Sequence, residues 1–170
     1  MEWKAFDLRP GTPPQGLPRP DTADQKAGQV LAGHAGQAAQ EAGLLMRRAP
    51  LVPHTRPAME ANEFAKEQGK FDPYHRALFK DYWEEGKNLG DPAVLQQAGE
   101  RVGLDPAALG QALQEGRYRD AVEEQVQFAR SVGITGIPAF IVDHYLFMGA
   151  QPYAFFKQVM DRVLEERAAG

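Results

Sequence analysis

The 170-residue chain contains no cysteine. That excludes structural disulfides and thiolate metal centres, along with any catalytic step in which a thiolate of these residues is the nucleophile. Long apolar runs are missing as well. None approaches the roughly 20 residues a helix needs to cross a bilayer, and the first residues are not a charged head followed by an apolar signal core. The expected setting is soluble and cytoplasmic, with no membrane partner. Basic clusters are absent too: 19 Lys and Arg are scattered among 23 Asp and Glu, for a net charge of -4. No face is left for a phosphate backbone, so nucleic acid is not an expected partner. The four histidines, His34, His54, His75 and His144, show no ligand spacing, and neither a metal nor another cofactor is expected. His54 reads as an exposed loop residue without a catalytic role. Neighbouring carboxylates such as Glu84-Glu85, Glu123-Glu124 and Glu165-Glu166 would point about 100° apart on a helix, as solvated faces do.

What is present suffices for one domain, with 43% hydrophobic residues to build a core. Trp3, Ala5, Phe6 and Leu8 predict a short strand ending at Arg9-Pro10-Gly11. A proline-rich loop leads to Asp21, a plausible cap for a helix toward Gly43, although Gly28, Gly33 and Gly36 weaken it by about 1 kcal/mol each. From residue 55 to 133 the pattern is all helical. Thr55 can cap a helix ending near Gly69, and Asp72-Pro73, Asp91-Pro92 and Asp105-Pro106 each place a capping residue before a proline at the first helical position. Leu78, Tyr82, Val94, Leu95, Ala98, Val102, Leu109 and Leu113 recur at helical spacing. A longer helix runs through Tyr118, Val122, Val126 and Ala129 to Gly133. Phe79, Tyr82 and Trp83 could line an aromatic pocket, but helical aromatics more often serve the core.

The most telling run is Gly133-Ile134-Thr135-Gly136-Ile137-Pro138-Ala139-Phe140-Ile141-Val142-Asp143. Proline is tolerated at a strand's first residue or edge, so Pro138 marks the passage from loop to strand. Two strands over 138–143 and 145–148 then form a hairpin through Asp143-His144. A terminal helix follows, with Pro152 in its first turn and Phe155, Phe156, Val159, Met160, Val163 and Leu164 as an apolar stripe.

Gly136-Ile137-Pro138-Ala139-Phe140, Asp143, Gly149-Ala150-Gln151-Pro152 and the amphipathic terminal helix resemble the second half of a DsbA-family thioredoxin-like domain. Residues 3–8, Thr55-Arg56, Lys66-Glu67-Gln68-Gly69-Lys70, Ala77-Leu78-Phe79, Gly90-Asp91 and Val94-Leu95 extend that resemblance along nearly the whole chain, nearest to the cytosolic FrnE-like oxidoreductases. It implies an α/β fold: a thioredoxin-like sheet, here incomplete, with a large inserted all-helical subdomain. Residues 1–170 would form a single domain, with 1–20 and 134–170 the thioredoxin-like part and 55–133 the insert. It also implies a cis bond at Pro138. Gly136, Ile137 and Pro138 would then line a groove for a peptide or small-thiol substrate, with Phe140 packed in the core.

The departure from the family matters as much. Its members carry a strand and a Cys-x-x-Cys helix before the strand that residues 3–8 resemble. The resemblance therefore implies a thiol-disulfide oxidoreductase or isomerase in a full-length form that starts upstream, with this chain inactive in dithiol exchange. Without that first strand the sheet has a gap, and unpaired buried backbone groups cost roughly 1–3 kcal/mol each. The gap predicts a homo-oligomer through the open sheet, or loosening around residues 1–50. Two other readings remain: a glutathione-dependent isomerase of the kappa-transferase-like group, and a non-catalytic module that binds peptides by strand addition.

Overall fold

The protein is described by a computed structural model covering residues 1–169. It divides into two units, residues 9–124 and residues 1–8 with 125–170.

The larger unit begins with a short antiparallel pair, β1 (Leu17–Pro18) and β2 (Leu51–Val52), in which Leu17 faces Val52. Between them lies α1 (Gly33–Glu41). The single helix expected from Asp21 does not form. Gly28 and Gly33 both take left-handed φ, 80° and 77°, a conformation that interrupts a right-handed helix. Instead the chain bridges back on itself at Val30 and Arg47. Gly36 is no helix weakness in this setting. A Cβ there would lie 1.7 Å from the Leu31 carbonyl oxygen, so only glycine lets α1 approach the segment before it.

Four further helices follow: α2 (Arg56–Glu67), α3 (Phe71–Trp83), α4 (Pro92–Arg101) and α5 (Pro106–Glu115). The carboxylates of Asp91 and Asp105 cap α4 and α5 as expected, accepting from the N–H of Ala93 and of Ala107 and Ala108. Thr55 precedes α2 but its side chain makes no cap bond. Asp72 is not a cap either: α3 starts at Phe71, and Asp72 lies in its first turn, where a carboxylate still suits the positive helix end. Small residues let these helices approach closely. Ala61, Ala65, Ala98 and Ala112 are buried with Phe64, Tyr74, Leu78, Leu95 and Leu109 in one cluster. The Tyr74 hydroxyl, fully enclosed, donates to the Leu95 carbonyl at 3.1 Å. Asp81, 1% exposed, accepts from Lys87 at 3.1 Å and Arg101 at 2.6 Å, so its buried charge is paired on both oxygens.

The division between units falls within α6 (Arg119–Ser131). In the smaller unit, β3 (Ala139–Val142) and β4 (Tyr145–Met148) pair antiparallel, with Phe140 opposite Phe147. Asp143 takes φ 57° to make the tight connection. The terminal helix α7 (Tyr153–Ala169) places Phe155 and Phe156 against that hairpin. Residues 3–8 are not a strand. A strand is stabilised by a neighbouring strand's backbone groups, and among the described residues no strand pairs with this segment; the Ala5 N–H donates to the Gln125 side-chain oxygen at 2.6 Å. Among the described residues, no helix is long and apolar enough to cross a membrane.

Candidate functional site

The segment from Gly133 to β3 is shaped by a helix end, a turn and a strand start. Gly133 closes α6 with φ 84°, and the Ile134 N–H donates back to the Ala129 carbonyl at 2.9 Å, satisfying a terminal acceptor as helix C-caps do. Gly136 is half-buried, whereas Ile137 and Pro138 are exposed, Ile137 by 57%. The Ile137–Pro138 peptide bond is cis. A Cβ on Gly136 would meet nothing within 4 Å, so crowding does not explain the glycine. The Pro138 carbonyl accepts from the Gly149 N–H at 2.8 Å, which fixes the alternation of the ladder. Phe140 and Val142 direct their backbone groups to β4, and Ala139 and Ile141 direct theirs to the opposite, unpaired edge.

The two faces of the hairpin differ sharply. Phe140 stacks on Phe147 at 5.4 Å between ring centroids and meets Phe156 edge-on at 4.8 Å; Phe147 meets Phe155 at 5.0 Å. Phe140 is thus a packing residue that anchors the strand behind the turn. The other face carries Ala139, Ile141, Leu146 and Met148, of which the last three are exposed. At the far end Asp143 accepts from Arg167 at 2.9 Å and lies 3.2 Å from His144 Nδ1. These hydrogen bonds, that of Arg167 foremost, hold the Asp143 carboxyl below its ordinary range. The Tyr145 hydroxyl donates to Glu166 at 2.7 Å. The result is a hairpin with an exposed turn and, among the described residues, no strand paired to either outer edge.

Other candidate residues take different places. His54 is half-buried rather than exposed, and its Nδ1–H donates to the Thr12 carbonyl at 3.0 Å, which leaves Nε2 as the ring acceptor. Of Phe79, Tyr82 and Trp83, the last two meet edge-on at 4.8 Å between ring centroids. Phe79 is exposed and lies on His75 at 4.7 Å, while the Tyr82 hydroxyl reaches the Leu51 carbonyl at 3.4 Å and the Trp83 carbonyl accepts from the Arg47 N–H at 2.7 Å. They tie the strand segment to α3. Sequence reasoning missed one further group: a cleft among the helices lined by Arg56, Glu60, Arg119 and Glu123. The signal for it was faint, a carboxylate at a position in step with the buried Phe64 on the same helix.

Comparison with known proteins agrees with this architecture. The uncharacterized protein YwbO of Bacillus subtilis is 31% identical over 163 residues, spanning 94% of this chain and 80% of that protein. A probable DsbA oxidoreductase of Streptomyces coelicolor superposes with a TM-score of 0.73 at 22% identity, covering 96% of this chain and 74% of the other. A 2-hydroxychromene-2-carboxylate isomerase does so with 0.61 at 20% identity, over 79% and 66% of the two chains. These two likenesses establish fold. Residues 1–161 match the model of the DsbA-like thioredoxin domain, and with the helices of α2 to α6 inserted before the hairpin, the chain belongs to that family, one of thiol-disulfide oxidoreductase type.

Proposed function

We propose that this chain is the substrate-holding part of a FrnE-like, cytosolic thiol-disulfide oxidoreductase or isomerase. The observation that carries this reading is the outer edge of β3, where the backbone groups of Ala139 and Ile141 have no partner among the described residues, directly after a turn that exposes Ile137 and Pro138. An extended peptide laid along that edge gains main-chain hydrogen bonds, as in strand addition, and Ile137 offers apolar contact beside it. Such binding brings a cysteine of the peptide or a small thiol to the turn. The nucleophilic thiolate that exchange requires must come from outside these 170 residues, because they contain no cysteine. The chain by itself is therefore expected to bind without catalysing dithiol exchange.

Amide hydrogen exchange checks this directly. A saturating unfolded, cysteine-containing peptide should slow exchange at the amides of Ala139 and Ile141 and leave those of α4 and α5 unchanged. In parallel, reduction of a disulfide substrate by the chain should stay at the uncatalysed rate. Unaltered exchange along β3 would reject the groove, and measurable turnover would reject the need for an outside thiol. Protection produced by glutathione alone, without peptide, would instead favour the glutathione-dependent isomerase reading.

A further inference from the structure

A cleft of about 870 Å³ opens within the 9–124 unit, among α2, α4, α5 and α6. That volume is in the range of pockets that hold small molecules. None of its lining residues belongs to the Gly136-Ile137-Pro138 turn, and its charges are unusual for a wall between helices. Arg56 donates to Glu123, so this pair is internally neutral. Glu60 is different: it is 8% exposed, and its carboxyl makes no hydrogen bond or ion pair among the described residues. Burial pushes its pKa up, although Arg119, then Arg56 and His54, act against the rise. Arg119, the strongest opposing charge on Glu60, is itself uncommitted. Its guanidinium lies over Gly116, with Nη2 2.6 Å from where a Cβ would stand, and forms no side-chain hydrogen bond or ion pair among the described residues.

A carboxyl on a residue only 8% exposed and without a protein partner is costly, and the solvent-exposed Arg119 guanidinium lines the same cleft with no protein partner among the described residues. The wall shows one more concession of stability to shape. Gly110 interrupts the interior of α5, where glycine costs about 1 kcal/mol relative to alanine, and a Cβ there would stand 1.9 Å from Gln96 Nε2. The absent side chain lets the Gln96 amide lie along the cleft wall. A purely apolar ligand would leave Glu60 and Arg119 unpaired, a simple anion would be repelled by Glu60, and a simple cation by Arg119. A ligand that carries a cationic donor beside an acceptor oxygen satisfies both.

We propose that this cleft binds the α-ammonium and adjacent carbonyl or carboxyl oxygen of a peptide N-terminus or free amino acid, Glu60 accepting from the ammonium and Arg119 donating to the oxygen. The site is independent of strand addition at β3 and stands or falls without it.

Calorimetric titration of the full chain tests the assignment with three probes: L-alanyl-L-alanine amide, L-alanine, and N-acetyl-L-alanine amide. Binding of the dipeptide amide alone identifies a peptide N-terminus, binding of alanine identifies a free amino acid, and either supports the site. The acetylated probe, which lacks the ammonium, should not bind. Glu60→Gln, close to isosteric, and Arg119→Met should each weaken binding about tenfold or more, the scale of losing one hydrogen bond to a charged group. Circular dichroism and thermal unfolding report whether each variant folds, and the second variant stands in if the first does not. No binding of either amine at millimolar concentration overturns the proposal, as does equal binding of the acetylated probe or indifference to both substitutions.

Discussion

His75 shows how a single side chain ties the fold to pH. It is half-buried on α3, stacked on Phe71 at 4.9 Å and tilted against Phe79 at 4.7 Å, one turn away on either side. Burial lowers its pKa from the ordinary 6.5, against Asp72, which raises it, while Lys66 and Arg76 lower it further. A base that binds its proton less well folded than unfolded stabilises the fold fully above the unfolded pKa. That contribution is lost as pH falls below about 6.5 and through the depressed folded value. Unfolding midpoints of the protein should therefore drop on acidification through that window, and His75→Phe, which keeps the aromatic stack without the titration, should flatten part of the drop. Parallel pH profiles for the two proteins would rule out this role for His75. Nothing in the sequence around His75 announced it: the spacing of Phe71, His75 and Phe79 is visible, but which face of α3 turns inward is decided by α2 and α4.

At the scale of elements, legibility follows the range of the interactions that stabilise each one. Helices α4 and α5 were readable almost to the residue because a cap, a proline and an apolar period are all local. The same local logic overreached at Thr55, which has the right residue type and position but a backbone of φ -89° and ψ -4° that makes no side-chain cap bond. Asp105, at φ -73° and ψ 114°, accepts from Ala107 at 2.8 Å and Ala108 at 3.2 Å. Asp105→Ala should cost about 1 kcal/mol, lowering the thermal midpoint by about 2–4 °C in a chain of this size. Thr55→Ala should move it far less. Equal losses in scanning calorimetry would mean that the cap bond is not what distinguishes the two positions. The pieces that were not legible share the opposite property. β1 and β2 are two residues each and pair across more than 30 positions, and residues 3–8 have strand composition but no strand beside them, so composition alone could not decide their state.

For the whole molecule, the hairpin of the smaller unit poses the main physical problem. A two-stranded hairpin is marginal in water by itself, and here α7 covers only one of its faces. Ile141, Leu146 and Met148 remain 46%, 39% and 42% exposed on the other, beside the unpaired edge of β3. The turn and hairpin were readable from Pro138 and the alternation after it, and so was the idea of an open sheet. That one face stays uncovered emerged only from the placement of Phe155 and Phe156. An apolar edge of this kind is the sort that proteins otherwise protect with charge or covering segments. We propose that, with no peptide present, a second copy pairs its β3 with the first in a two-fold arrangement that buries Ile141 from both sides. Light scattering behind size exclusion should then show a mass that rises toward the dimer with concentration. Ile141→Lys, which puts a charge at the centre of the edge without touching the Phe140 cluster, should return it to the monomer. A saturating peptide should do the same, since it would occupy the same edge. A mass that stays monomeric at every concentration, or a dimer that survives both treatments, would place the contact elsewhere or remove it.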